Sequence, residues 1–414
     1  MTEIDKEKDP QETTGERPLS LFGQEDILEP HHPGWQNLGE VFKPQDPFFE
    51  KFYFMLGYEY SSNIYLIKGD QGLTIVDPGN DYTAFLELFD QGWCQPQDIK
   101  TIALTHGHRD TCSGAIELLR GYPFIVDSGG FELILHKESP AELKEMMKKA
   151  GCRVTELEGG ETIELGGMPW EVIYTPGHTI DGLSFYHAPT KTAFTGDIVM
   201  PHSMAEVDEK AGGRLDHYLY GVKALLKKDI EHVLPGRGFP VADHGKRVIE
   251  LTYESLMLKI LKVEDKIPWI SGAEALARQG LLEEAVFCCN KALASNPDNL
   301  RALQVKSMCL ADLGRGEEAI EVLDVMLARE GRDPFALTTK GNALLGLGRY
   351  EESLEYLNRA LEVAPQIQEA QVYKGMALYL LGRYDEAMDI EIFSKEFAGH
   401  LKTELEKLAQ EKDS

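Results

Sequence analysis

Three short motifs in the first half of the chain carry histidine and aspartate: "THGHRD" at 105–110, "TPGH" at 175–178 and "TGD" at 195–197. A fourth, "DPG" at 77–79, precedes them. Imidazole nitrogens and carboxylate oxygens in this mixture suit a borderline cation such as zinc, or iron. His106, His108 and Asp110 share parity, so in an extended segment their side chains face one way. A lone HxH is a weak signal. HxHxD followed in order by a further histidine and a further aspartate is a strong one. Asp77 reads as structural, fixing the loop that carries the ligands.

Each motif follows a β-rich run, and in α/β folds the loops beyond strand ends aim polar side chains at one point. "SNIYLI", "LTIVD", "TIALTH", "PFIV", "WEVIYT", "LSFYH", "TAFTGD" and "HVLPG" read as strands. "DYTAFLELFDQG" and "SPAELKEMMKKAG" read as helices, with Asp81 and Ser139 as N-caps and Gly92 and Gly151 at their ends. This alternation predicts an α/β domain over 19–264, after a polar, disordered segment at 1–18.

The rest of the chain repeats. Gly280, Gly314, Gly348 and Gly382 are 34 residues apart, and Ala285, Ala319, Ser353 and Ala387 keep the same step, as do Gly341 and Gly375. Small residues at a fixed 34-residue period indicate stacked helix pairs. The region resembles the tetratricopeptide repeat family in four units over 266–401, with a charged tail at 402–414. The resemblance implies an all-α solenoid that binds a protein or peptide. Its inner positions (Gln304, Met308, Thr338, Asn342, Val372, Met376) are mixed in character. Lys306, Lys340 and Lys374 form a ladder that reads as solvated lysine.

The first domain resembles the metallo-β-lactamase superfamily, on the order and spacing of its His and Asp motifs. The resemblance implies an αββα sandwich with the site between its sheets. It implies that His106, His108 and His178 bind a first metal, that Asp110 faces a second, and that Asp197 bridges the two. Two positions depart from the family pattern: Thr111 stands where HxHxDH has its last histidine, and Arg237, in "LPGRGFP" at 234–240, stands where the final histidine belongs. Both losses fall on the second metal. The expectation is therefore one bound ion, zinc with iron as the alternative, with Arg237 supplying positive charge to Asp110. Arg237 and Thr111 then become candidate substrate contacts. Cys112 and His202 lie close enough in sequence to replace a lost ligand.

With 42 basic and 69 acidic residues the formal charge is −27, which repels nucleic acid and anionic membranes. No apolar run reaches spanning length and no leader-like segment is evident, so a cytoplasmic location is expected. Six scattered cysteines without a CxxC fit reduced thiols there. Three functions remain. The first is a metal-dependent hydrolase of an ester or thioester, with metal-activated water and Asp110 as its catalytic carboxylate. The second, again from the family, is a persulfide dioxygenase with one iron held by His106, His178 and Asp197. The third is a non-catalytic metal-binding scaffold acting through its repeats. β-Lactam hydrolysis is not expected without export.

Overall fold

The β-rich runs pair into two sheets in the computed structural model, which describes residues 34–42, 47–57, 61–128, 130–201, 203–263 and 268–395. The segments 1–18 and 402–414, and His202, lie outside the described residues. The first sheet holds seven strands in sequence order: β1 (Gln36–Asn37), β2 (Phe52–Met55), β3 (Ile64–Gly69), β4 (Gly72–Val76), β5 (Ile99–Ala103), β6 (Glu132–His136) and β7 (Arg153–Leu157). The second holds β8 (Thr162–Leu165), β9 (Met168–Tyr174), β10 (Leu183–His187), β11 (Thr192–Gly196) and β12 (His232–Pro235), ordered β12-β11-β10-β9-β8. Strands β4 to β7 run parallel, as do β11 and β12; the other pairs are antiparallel.

Side-chain alternation sets the layers. In β3, Ile64 and Leu66 join one core with Phe85, Leu118 and Leu143 from helices Thr83–Asp90, Arg109–Gly121 and Ala141–Lys149. Tyr65 and Ile67 point the other way, into a second core with Phe52, Trp170, Phe185 and Phe194. That second core draws on both sheets and is the centre of the sandwich. Each of its fully buried aromatics contributes about 2–3 kcal/mol through removal from water. Helix Leu215–Leu226 packs on β9 and buries Tyr218, Val222 and Leu225.

Three local expectations fail. "PFIV" is not a strand but part of a 3-10 stretch, Pro123–Ser128; the strand is the next apolar run, β6. A short apolar run by itself does not distinguish these states. Ser139 does not cap its helix, because its hydroxyl donates instead to Asp181 Oδ2 at 2.8 Å. Asp81 is not the cap either: Tyr82 is the N-cap of Thr83–Asp90, without a side-chain bond, and the Asp81 carboxylate accepts from the Thr83 N–H at 2.8 Å from one position upstream.

The chain divides into two compact units between Leu256 and Met257, inside the helix Gly245–Leu261. The second unit is a run of helix pairs: Trp269–Arg278 with Leu282–Ser295, Leu300–Asp312 with Gly316–Arg329, Pro334–Gly346 with Tyr350–Val363, and Gln368–Leu380 with Tyr384–Met388. Each pair turns at a glycine with φ between 73° and 77° (Gly280, Gly314, Gly348, Gly382), a conformation that other residues adopt at a cost. In three of these turns the next residue is an arginine in a two-pronged pair with a glutamate three positions on: Arg315–Glu318, Arg349–Glu352 and Arg383–Glu386, each with an Nη2–O distance of 2.6 Å. The lysine ladder is not uniformly solvated. Lys340 is buried, paired with Asp324 and seated 4.4 Å from the centre of the Tyr356 ring. Of the inner-face residues, Met308 and Met376 are exposed and Thr338 is buried.

The small residues of the repeat have a steric reason. A Cβ on Gly341 would lie 2.5 Å from Leu357 Cγ, inside contact distance. Gly341→Val is therefore expected to lower the stability of the repeats by about 2 kcal/mol, the usual cost of overpacking. A denaturant titration followed by helical circular dichroism reads this; an unchanged midpoint would mean that the helices separate freely.

Candidate metal centre

The site residues come from the ends of β4, β5, β9, β11 and β12, which all discharge their chains at one edge of the sandwich. Asp77 follows β4. Its φ of 56° is unusual for a non-glycine residue, and its carboxylate accepts from the Thr105 N–H at 2.8 Å and the Thr105 hydroxyl at 2.7 Å. It is thus the loop-fixing residue that the sequence suggested. Burial pushes its pKa up to about 8 against those two bonds.

His106 and His108 leave β5 through a short loop. The helix Arg109–Gly121 then starts, so Asp110 and Thr111 lie in its first turn rather than on a continued strand. The shared parity of 106, 108 and 110 is therefore not strand alternation; the helix start, not the pleat, aims Asp110. His178 follows β9 and Asp197 follows β11.

The three histidines converge. Their ring centres are 4.7–5.3 Å apart, and one nitrogen from each lies within 4.8 Å of the others. The outward nitrogens all have partners, which set the tautomers by hydrogen-bond logic. Because the Thr105 hydroxyl donates to Asp77, it accepts from His106 Nδ1 at 3.1 Å. His178 Nδ1 donates to the Glu206 carbonyl. His108 Nε2 donates to Asp208 Oδ2 at 3.1 Å. Each ring is left with a lone pair facing the cluster. His108 Nδ1 and His178 Nε2 stand 3.0 Å apart, close enough to share either a proton, if one ring carries a second one, or a cation. Burial drives the His106 pKa down to about 4, so this ring is neutral and available as a ligand.

Asp197 is buried, and its Oδ2 lies 3.8 Å from His178 Nε2. Its Oδ1 is buried without a hydrogen-bond partner among the described residues. A recess lined by His106, His178 and Asp197, with Thr105, Thr179 and Thr195, joins these groups. An unpaired buried carboxylate oxygen costs free energy unless something cationic meets it. The residues present therefore fit a divalent cation held by His106, His108 and His178, with Asp197 beside it.

The second position is different. Arg237, just beyond β12, donates from Nε to Asp197 Oδ2 at 3.0 Å and from Nη2 to Asp110 Oδ2. Asp110 meets this guanidinium and is not part of the three-histidine cluster. Burial opposes ionisation of Asp197, but His106, Arg237 and His178 outweigh it and hold the carboxyl below its ordinary value. Thr111 is fully buried, with its hydroxyl 3.4 Å from His106 Nε2. Cys112 is buried and directs its thiol to the Gly107 carbonyl at 3.6 Å; burial raises its pKa to about 12, so it offers no thiolate.

Sequence reading missed the outer partners. Thr105 opens the THGHRD motif and could have been noticed. Asp208 carries only a turn signal, as N-cap of the 3-10 turn Glu209–Ala211, and nothing in that signal points to a histidine 100 residues away.

Comparison with known proteins agrees with this geometry. Residues 57–249 match the family model described as the metallo-beta-lactamase superfamily. Residues 338–391 match a tetratricopeptide repeat model, and 278–360 match one described as anaphase-promoting complex, cyclosome, subunit 3. The chain is similar to an atrochrysone carboxyl ACP thioesterase of Aspergillus aculeatus, 24% identical over 188 residues, 45% of this chain and 54% of the relative. It is also similar to a hydroxyacylglutathione hydrolase of Idiomarina loihiensis, 36% identical over 114 residues, 27% of this chain and 36% of the relative. The chain thus spans about half or less of the length of these relatives. Among solved structures, a metallo-beta-lactamase family protein of Thermus thermophilus aligns with a TM-score of 0.41 and 22% identity, covering 55% of this chain and 87% of that one. The first unit therefore carries a metallo-beta-lactamase superfamily domain at residues 57–249, and the second carries tetratricopeptide repeats within 278–391.

Proposed function

We propose that a catalytic domain, taken as 19–264, hydrolyses an ester or thioester, and that the repeats, over 266–401, hold a protein or peptide partner. The observation that carries the first part is the convergence of three histidine ring nitrogens beside an unpaired, buried Asp197 Oδ1. Bound there, one divalent cation, zinc in this reading, supplies Lewis acidity and makes water nucleophilic at neutral pH. The remaining chemistry belongs to the chain. Arg237 Nη1 has no hydrogen-bond partner among the described residues, while Nε and Nη2 are held by carboxylates. Its N–H groups are thus fixed in place to meet an acyl oxygen as negative charge develops, or a substrate carboxylate. Asp110, oriented by the same guanidinium, accepts the proton of the incoming water. The water oxygen bonds to the acyl carbon, the carbon–sulfur bond of a thioester breaks, and the departing thiolate takes up a proton. A thioester is preferred because the names of two relatives, an ACP thioesterase and a hydroxyacylglutathione hydrolase, describe such hydrolases. No helix among the described residues is long and apolar enough to cross a membrane, and the reading is of an enzyme acting in the cytoplasm.

The test is elemental analysis with electron paramagnetic resonance on the purified full chain, followed by assays with acyl-glutathione and acyl-pantetheine thioesters. The expected result is zinc, with thioester cleavage. Bound iron together with oxygen consumption on a persulfide, and no thioester cleavage, would replace this reading with the dioxygenase. Fully loaded protein without either activity would leave a scaffold acting through its repeats.

A further inference from the structure

We infer that Asp208 is a positioning residue for the metal centre, and that the segment Glu206–Gly213 orients two of the three ligand histidines. This rests on the reading of His106, His108 and His178 as ligands. The segment belongs to none of the sequence motifs, yet it reaches both rings. The Glu206 carbonyl takes the His178 Nδ1–H, and Asp208 Oδ2 takes the His108 Nε2–H at 3.1 Å. Backbone bonds seat it on the His178 loop: Asp208 N–H to the His178 carbonyl at 2.9 Å, and Ile180 N–H to the Ala211 carbonyl at 3.0 Å. Gly213 has no room for a side chain, since a Cβ there would lie 2.2 Å from the His178 carbonyl oxygen.

Asp208 divides its two oxygens between separate tasks. Oδ1 accepts from the Lys210 N–H at 2.9 Å and the Ala211 N–H at 3.2 Å, which fixes the carboxylate on its own turn. Oδ2 is then held facing His108. A carboxylate anchored in this way keeps the proton on Nε2, leaves the lone pair on Nδ1, and stops the ring rotating away from the cluster. His108 needs this more than His106, because it is only half-buried while His106 is enclosed by the core. The Asp208 side chain meets the cluster only at the outer nitrogen of His108 and does not line the recess, so its effect passes through His108.

The closing experiment measures zinc affinity by competition with a chromophoric chelator, for wild type, Asp208→Ala and Asp208→Ser. Serine still caps the turn with its hydroxyl but is too short to reach His108. Both variants are expected to bind zinc roughly 10–100-fold more weakly than wild type. The metal-free Asp208→Ser protein is expected to melt close to the metal-free wild type. Wild-type affinity in Asp208→Ser would overturn the inference, since turn capping alone would then account for Asp208. Wild-type affinity in both variants would also overturn it. A wild-type chain that binds no zinc would instead remove the ligand assignment on which the inference rests.

Discussion

His106→Ala is expected to leave the protein without tightly bound zinc. His106 is the most deeply enclosed ligand, only 3% exposed, and its Nδ1 is tied through Thr105 to Asp77. Among the described residues no nearby group can take over its Nε2. Thr111 offers only a hydroxyl, and Cys112 holds its proton and faces Gly107. A site with three protein nitrogens that loses one falls below the ligand count of stable zinc centres. Occupancy after dialysis against a moderate chelator should drop from about one ion per chain to a small fraction of that. His178→Ala should behave alike, and provides a second reading if removing the buried His106 ring impairs folding. Full occupancy in a folded variant of either kind would contradict the assignment.

The second large effect concerns the missing metal. Arg237 bridges Asp110 and Asp197, the two carboxylates that a second cation would otherwise share. A guanidinium has no lone pair and a threonine hydroxyl is a poor zinc ligand, so the wild-type chain is expected to hold about one ion. Thr111→His with Arg237→His restores two imidazoles beside two carboxylates freed of their cation. Occupancy should then rise toward two ions per chain, read by elemental analysis at saturating but non-excess zinc. Arg237→His alone should do less, because one ligand returns while Asp110 and Asp197 lose their countercharge. Since Asp197 is buried, that single variant should also lose about 1–3 kcal/mol of stability in the absence of metal, discounted for the partial exposure of Arg237 and Asp110. A wild-type stoichiometry of two, on protein freed of loose metal, would refute this account.

Much of this molecule is periodic, and periodicity is local information. Apolar alternation in "SNIYLI" placed Tyr65 and Ile67 on one face and Ile64 and Leu66 on the other, and each face found its own core. The 34-residue step of small residues and turn glycines placed the helix pairs, because each glycine meets the same local demand for positive φ. The three histidines were legible because HxH and the later histidine sit at strand ends, and the resemblance assigned them to one metal. The replacement of the second metal by Arg237 was legible as a coincidence of two departures, and its pairing with Asp110 was an expectation. That Arg237 also holds Asp197, that Thr105 and Asp77 fix His106, and that Asp208 fixes His108 required the tertiary structure. These partners are brought together by the fold across separations of 28 to 100 residues, and no propensity or period encodes such a meeting. The failed expectations have the same origin. Ser139 looks like a cap in its own window, but the fold brings Asp181 to its hydroxyl, and Lys340 looks solvated until Asp324 and Tyr356 close over it. Sequence alone determined the strands that carry the site residues, the helix pairs and the types of the ligating side chains. Tertiary structure decided which lone pairs face inward, because tautomer and ring orientation depend on partners distant in the chain.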